Sequence, residues 1–134
     1  MNEEITIKEL YSLDKTIAAD IFEGCTFPWE VLSKIGDFIV ELGNRLPADE
    51  YIKRGENVWV HKEANVFDSA YIAGPAIICK GAEVRHCAFI RGKAIVGECA
   101  VVGNSTELKN VILFDGVQVP HYNYVGDSIL GYKA

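Results

Sequence analysis

A chain of 134 residues leaves room for one domain, and 19 acidic against 13 basic residues, a net charge of −6, exclude the basic face of a nucleic-acid binder. No apolar run is long enough to cross a membrane, and the opening MNEEITIKEL is acidic and polar rather than a basic-then-apolar leader. Cys25, Cys79, Cys87 and Cys99 show no CxxC or other metal-type spacing, so reduced thiols of a cytoplasmic protein are expected.

Residues 1–55 read as a helical segment and a connector. Thr6-Ile7-Lys8-Glu9 has the form of a capping box, in which the two end side chains satisfy each other's free amides. A stronger helix is expected from Pro28 to Leu42, with Thr26 as cap, Pro28 in the first turn and Gly43 at the stop. Val31, Leu32, Ile35, Phe38, Ile39 and Leu42 form one apolar stripe along it, which must pack on the rest of the chain or on a neighbour. The stretch GNRLPADEYIKRGEN then reads as a polar connector.

Residues 56–134 carry a different period. Val60, Val66, Ile72, Ile78, Val84, Ile90, Val96, Val102, Leu108 and Phe114 recur every six residues, and Pro120 continues the column. Ala64, Ala70, Ala76, Ala82, Ala88, Ala94 and Ala100 form a second column, continued by Thr106 and Ile112. Neither helix nor ordinary strand has this spacing. It fits a triangular solenoid of about 18 residues per coil, with large aliphatics inside and small residues at the corners.

This signature resembles the hexapeptide-repeat, left-handed parallel β-helix, and residues 58–131 would make about four coils of it. The left hand comes from the resemblance, since the usual crossover rule favours the other. The resemblance implies a homotrimer with sites between rods, and in most cases acyl transfer from a thioester. A minority of the class are carbonic anhydrases with a three-histidine metal site. Here His61, His86 and His121 are 25 and 35 residues apart, not multiples of the coil, so no shared column and no metal site are expected. His61 and His86 read as polar residues of the outer faces.

Within residues 91–131, the strings GN, ELK and HYNYVGD and the final Gly131 carry a more specific resemblance. They are similar to the acetyltransferase domain of the bacterial bifunctional N-acetylglucosamine-1-phosphate uridyltransferase/glucosamine-1-phosphate acetyltransferases, and closer still to related archaeal sugar-phosphate nucleotidylyltransferases. The resemblance implies that His121 is the catalytic base and Glu107 its carboxylate partner. It makes Arg91 and Lys109 the cations that hold the phosphate of an amino-sugar phosphate, and Tyr124 a residue lining the pocket. Independently, Arg91 and Lys109 are 18 residues apart, so adjacent coils place two cations on one face, which a shared phosphate would satisfy. Asp127, 18 residues further, could instead neutralise the pair. A histidine is suited to take a proton from an amine that attacks a thioester.

Residues 1–55 hold no Gly-rich nucleoside-triphosphate loop, so nucleotidyl transfer is excluded for this chain. In the family the solenoid continues beyond the GD…G segment with coils that complete the pocket and the acetyl-CoA groove. The chain is therefore expected to be C-terminally truncated, with acetyl-CoA the co-substrate of the complete domain but not bound here, and inactive as it stands. The alternative expectation is a non-enzymatic trimerisation or sugar-phosphate-binding module.

Overall fold

The computed structural model describes residues 5–134, so residues 1–4 of the expected helical segment lie outside the described residues. The chain begins with a short helix α1 (Ile7–Leu10), capped where Glu9 N–H donates to Thr6 Oγ1 at 3.4 Å. Short 3-10 turns follow at Leu13–Lys15, Ala19–Phe22 and Pro28–Lys34, and then α2 (Ile35–Gly43). The expected Pro28–Leu42 helix is thus wound tightly in its first half and regular only in its second. The cap of the first half is Phe27 rather than the expected Thr26 and makes no side-chain cap bond; Thr26 N–H instead donates to Glu30 Oε2 at 3.0 Å.

The solenoid follows. Its strands are β1 (Tyr51–Gly55), β2 (Val58–His61), β3 (Asn65–Val66), β4 (Tyr71–Ile72), β5 (Ala76–Ile78) and β6 (Glu83–Val84). They continue as β7 (Phe89–Ile90), β8 (Ala94–Val96), β9 (Val101–Val102), β10 (Glu107–Leu113), β11 (Gln118–Val119) and β12 (Tyr124–Leu130). The end of the expected connector is in fact strand β1, which folds back antiparallel on β2 and closes one end of the ladder.

All other pairings are parallel and stack one coil on the next, which makes a parallel β-solenoid of about four turns. One face stacks β2, β5, β8 and the second halves of β10 and β12. A second stacks β3, β6, β9 and β11. The third stacks β4, β7 and the first halves of β10 and β12. Ile78, Val84, Ile90, Val96 and Val102 are fully buried between the faces, as the sixfold column requires.

The column then slips by one residue. Leu108 pairs with Ile90, 18 residues back, but Val111 pairs with Ala94, Ile112 with Ile95 and Leu113 with Val96, each 17 back. The corner Lys109-Asn110 is one residue shorter than Arg91-Gly92-Lys93 below it. From here on the core column is Leu113 and Val119 rather than Phe114 and Pro120, and Val111 rather than Ile112 takes the corner position. Pro120 is accordingly exposed.

The slip leaves Phe114 outside the column yet fully buried, because the N-terminal segment covers it. Its ring lies 5.3 Å from that of Tyr11 and 6.0 Å from that of Phe22. Tyr11 Oη donates to Ile129 O at 3.0 Å, and Asp115 N–H donates to Lys15 O at 2.9 Å. The segment lies over the first face. There the outward residues Trp59, Ile77, Ile95 and Ile112 are apolar and at most 5% exposed, and α2 packs on this face with its Ile35 and Ile39, and Val31 of the preceding turn, buried. Each such fully buried aliphatic side chain contributes roughly 1.5–3 kcal/mol. Gly43, at the end of α2, sits under the Trp59 ring with no room for a Cβ, so glycine is required there for close approach rather than for turn conformation.

Candidate functional site

Two of the three faces are left open, and the corner between them carries the polar groups. It is formed by Arg85–Ala88, Gly103–Thr106 and Pro120–Asn123, one coil above another. Ser105 N–H donates to His86 O at 2.9 Å and Tyr122 N–H to Asn104 O at 3.0 Å, which fixes the stacking. A 17-residue step therefore places His121 over Asn104, and the 18-residue step below it places Asn104 over His86. The expectation that no two histidines share a column is corrected by this slip: His86 and His121 are 35 residues apart in sequence and two coils apart in one column. His61 is elsewhere. It is 7% exposed on the first coil, 3.7 Å from Glu50 and edge-on to Tyr51, a buried residue rather than an outer-face one.

A cleft of about 480 Å³ opens along this corner and the second face, lined by Phe67, Arg85, His86, Asn104, Gln118 and His121. The Asn104 Oδ1 atom is buried without a hydrogen-bond partner. Thr106, fully buried, donates to Pro120 O at 2.9 Å, and Asn123 Nδ2 donates to Pro120 O and His121 O at 2.9 and 3.2 Å. The backbone of His121 is thus braced while its exposed ring is held only edge-on by Tyr122, at 5.7 Å. Among the described residues the imidazole has no side-chain hydrogen bond.

Around the corner, on the third face, lie the other four residues singled out by sequence. Glu107 and Tyr124 occupy one outward column with Tyr71 and Phe89. Arg91, Lys109 and Gly126 form the next. The two cations do stand one coil apart, but each has its own carboxylate. Arg91 Nη1 is 2.7 Å from Glu107 Oε2, and Lys109 Nζ is 3.8 Å from Asp127 Oδ2. The hydrogen bond and charge of Glu107, with a smaller contribution from Tyr124, raise the pKa of Arg91. Asp127, counted as the next member of the cation column, is displaced by the short coil: Gly126 holds that place, and Asp127 turns at φ 47° to accept from Asn110 Nδ2 at 2.9 Å. Glu107 is engaged with Arg91, and no contact joins it to His121 among the described residues. The face therefore brings together Arg91, Glu107 and Tyr124, with Lys109 beside them, and sets His121 at the adjoining corner.

Sequence reasoning missed Arg85, His86 and Asn104 as companions of His121. The signal that could have found them is Pro120, an unlikely occupant of a packed core column and hence a mark of the slip.

No protein-family profile matches the chain. Individual relatives do. A protein of Methanococcus maripaludis (strain C5) named bifunctional protein GlmU is 36% identical over 106 residues, which cover 78% of this chain and 26% of that protein. The protein of the same name from Enterococcus faecalis is 30% identical over 104 residues, 71% of this chain and 22% of its own. That of Methanocaldococcus jannaschii is 46% identical over 44 residues, a third of this chain and 11% of its own. The chain is a homologue of these proteins and spans about a quarter of the length of the first of them. Among the described residues no helix is long and apolar enough to cross a membrane.

Proposed function

We propose that this homologue of the GlmU proteins is an acetyltransferase-type domain whose third face binds an amino-sugar 1-phosphate, with glucosamine 1-phosphate the leading candidate and acetyl-CoA the donor. The observation that carries the reading is the pair of cations one coil apart, Arg91 and Lys109, beside Glu107 and Tyr124 and next to the corner that presents His121. A phosphate meeting both cations would exchange two exposed ion pairs, each worth little in water, for charge-assisted hydrogen bonds to one dianion. His121 is the proposed base: its imidazole takes a proton from the sugar amine as the nitrogen attacks the thioester carbonyl. Release of Glu107 from Arg91 by the phosphate would free a carboxylate to orient that imidazole.

Isothermal titration with glucosamine 1-phosphate tests the binding half. Arg91→Ala and Lys109→Ala are expected to weaken it by roughly 10–100-fold each, the loss of one charge-assisted contact. Glucosamine without its phosphate should bind no better to the parent than to either variant. Equal affinity of parent and variants for the phosphate ester would end the reading.

We further propose a cytoplasmic homotrimer, supported by the open second and third faces and by the closed symmetry usual for such rods. Light scattering should give about three chain masses, and a monomer at micromolar concentration would contradict it. A second reading has one observation in its favour. Because Glu107 is committed to Arg91, the chain by itself lacks an oriented base, and a sugar-phosphate-binding module without acyl transfer would have this geometry. Binding of the sugar phosphate with background acetyl transfer would select it.

A further inference from the structure

The four cysteines stand in four different settings. Cys79 is buried, and burial pushes its thiol up to about 12, which removes it from chemistry at neutral pH. Cys25 Sγ lies 3.3 Å from Lys34 Nζ. Cys87 and Cys99 are both exposed, and both are the third residue of a solenoid corner followed by alanine, at φ 56° and 58°. Their neighbours differ: Glu98 precedes Cys99, whereas His86 precedes Cys87.

At Cys87 three side chains converge. His86 Nε2 is 3.3 Å from Cys87 Sγ, and His86 Nδ1 is 2.7 Å from Ser69 Oγ. Ser69 Oγ, one coil below, also accepts from Cys87 N–H at 3.0 Å. A serine oxygen can accept twice. With Nδ1–H donating to it, Nε2 keeps a free lone pair turned toward the thiol. Nucleophile, base and orienting group then follow one another in the order that activated nucleophiles require. The site is not closed off: His86 is part of the cleft wall, and Asn104 lines the same cleft one coil above it.

We propose that Cys87, with His86 as its proton acceptor and Ser69 fixing the imidazole, is a nucleophilic thiol that takes the acyl group of a small-molecule thioester. The Cys87 proton passes to His86 Nε2, and Sγ attacks the carbonyl carbon. The bond from that carbon to the donor sulfur breaks, and the departing thiolate takes the proton from Nε2. One thioester replaces another, one thiol replaces another, and nothing is oxidised. An already activated acyl donor fits better than an ester or amide, because the Cys87 amide is spent on Ser69 and is not free to stabilise an oxyanion. The inference requires neither Arg91 nor Lys109, so it can fail without the amino-sugar reading and the reverse.

Cys99 serves as the internal control for the test. Native protein is treated with limiting iodoacetamide at neutral pH and the cysteine peptides are quantified by mass spectrometry. Cys87 is expected to react roughly tenfold faster than Cys99, in keeping with the gain a neighbouring imidazole gives a thiol. His86→Ala should bring it to the rate of Cys99, and unfolding in denaturant should equalise both. Equal native rates would overturn the proposal. Incubation with acetyl-CoA should then place one acetyl group on the Cys87 peptide, labile to hydroxylamine. It should be lost in Cys87→Ser, strongly slowed in His86→Ala and retained in Cys99→Ser, with circular dichroism confirming that each variant keeps its β-rich fold. A fast-alkylating Cys87 that gains no acetyl group would overturn the thioester assignment.

Discussion

In a form of this protein that transfers acetyl groups, whether these 134 residues alone or a longer chain containing them, His121→Ala is expected to lower the rate by roughly 10²–10⁴-fold, the usual contribution of a general base. The loss should fall on kcat, with the affinity for the sugar phosphate nearly unchanged, because the proposed phosphate site, Arg91 and Lys109, is on the adjoining face. The fold should not suffer. The ring is exposed, and the corner is held by backbone contacts from Thr106 and Asn123 that alanine preserves. A variant with unaltered kcat would make His121 a surface residue of a turn.

Phe114→Ala is expected to be the most damaging single truncation, costing about 3–5 kcal/mol, the range for deleting a buried aromatic ring. The ring touches both Tyr11 and Phe22, so its loss opens a cavity between the rod and the segment that covers its first face. Urea denaturation should show a lower midpoint, and Tm should fall by roughly 10 °C or more. A loss under about 1 kcal/mol would mean that the N-terminal segment adds little to the stability of the solenoid, against its burial of Ile77, Ile95 and Ile112.

The same residue shows how far the sequence could be read. From Val60 to Leu108 the count by six is faithful, because every corner has the same length and each coil demands the same residue sizes in the same places. At Lys109-Asn110 one corner residue is missing, and the count still lands on an apolar residue. Val111, Ile112, Leu113 and Phe114 are all apolar, so periodicity alone cannot say which of them points inward. What decides it is the hydrogen-bond register with β8, a non-local quantity. The covering of the first face had a signal that the inward columns obscured. Trp59, Ile77, Ile95 and Ile112 follow at intervals of 18, 18 and 17, an apolar column where a bare solenoid face would be polar. The candidate residues on the third face could be singled out through the family resemblance of their strings, and the Arg91 and Lys109 pair also from its 18-residue spacing. Their pairing could not, since whether Glu107 turns toward Arg91 or toward His121 depends on side-chain torsions that no spacing encodes.

The short corner also changes how the rod can come apart. In most coils the strands are two- or three-residue steps, so one face can fray while its neighbours hold. Above the slip, β10 and β12 instead run unbroken round the corner, pairing at Glu107–Tyr124, Leu108–Val125 and Lys109–Gly126 and again at Val111–Ser128, Ile112–Ile129 and Leu113–Leu130. Peeling that layer must break two faces together, and the loop that carries His121 is spanned between its two strands. Amide exchange there should accordingly follow a single cooperative opening rather than a graded, face-by-face one.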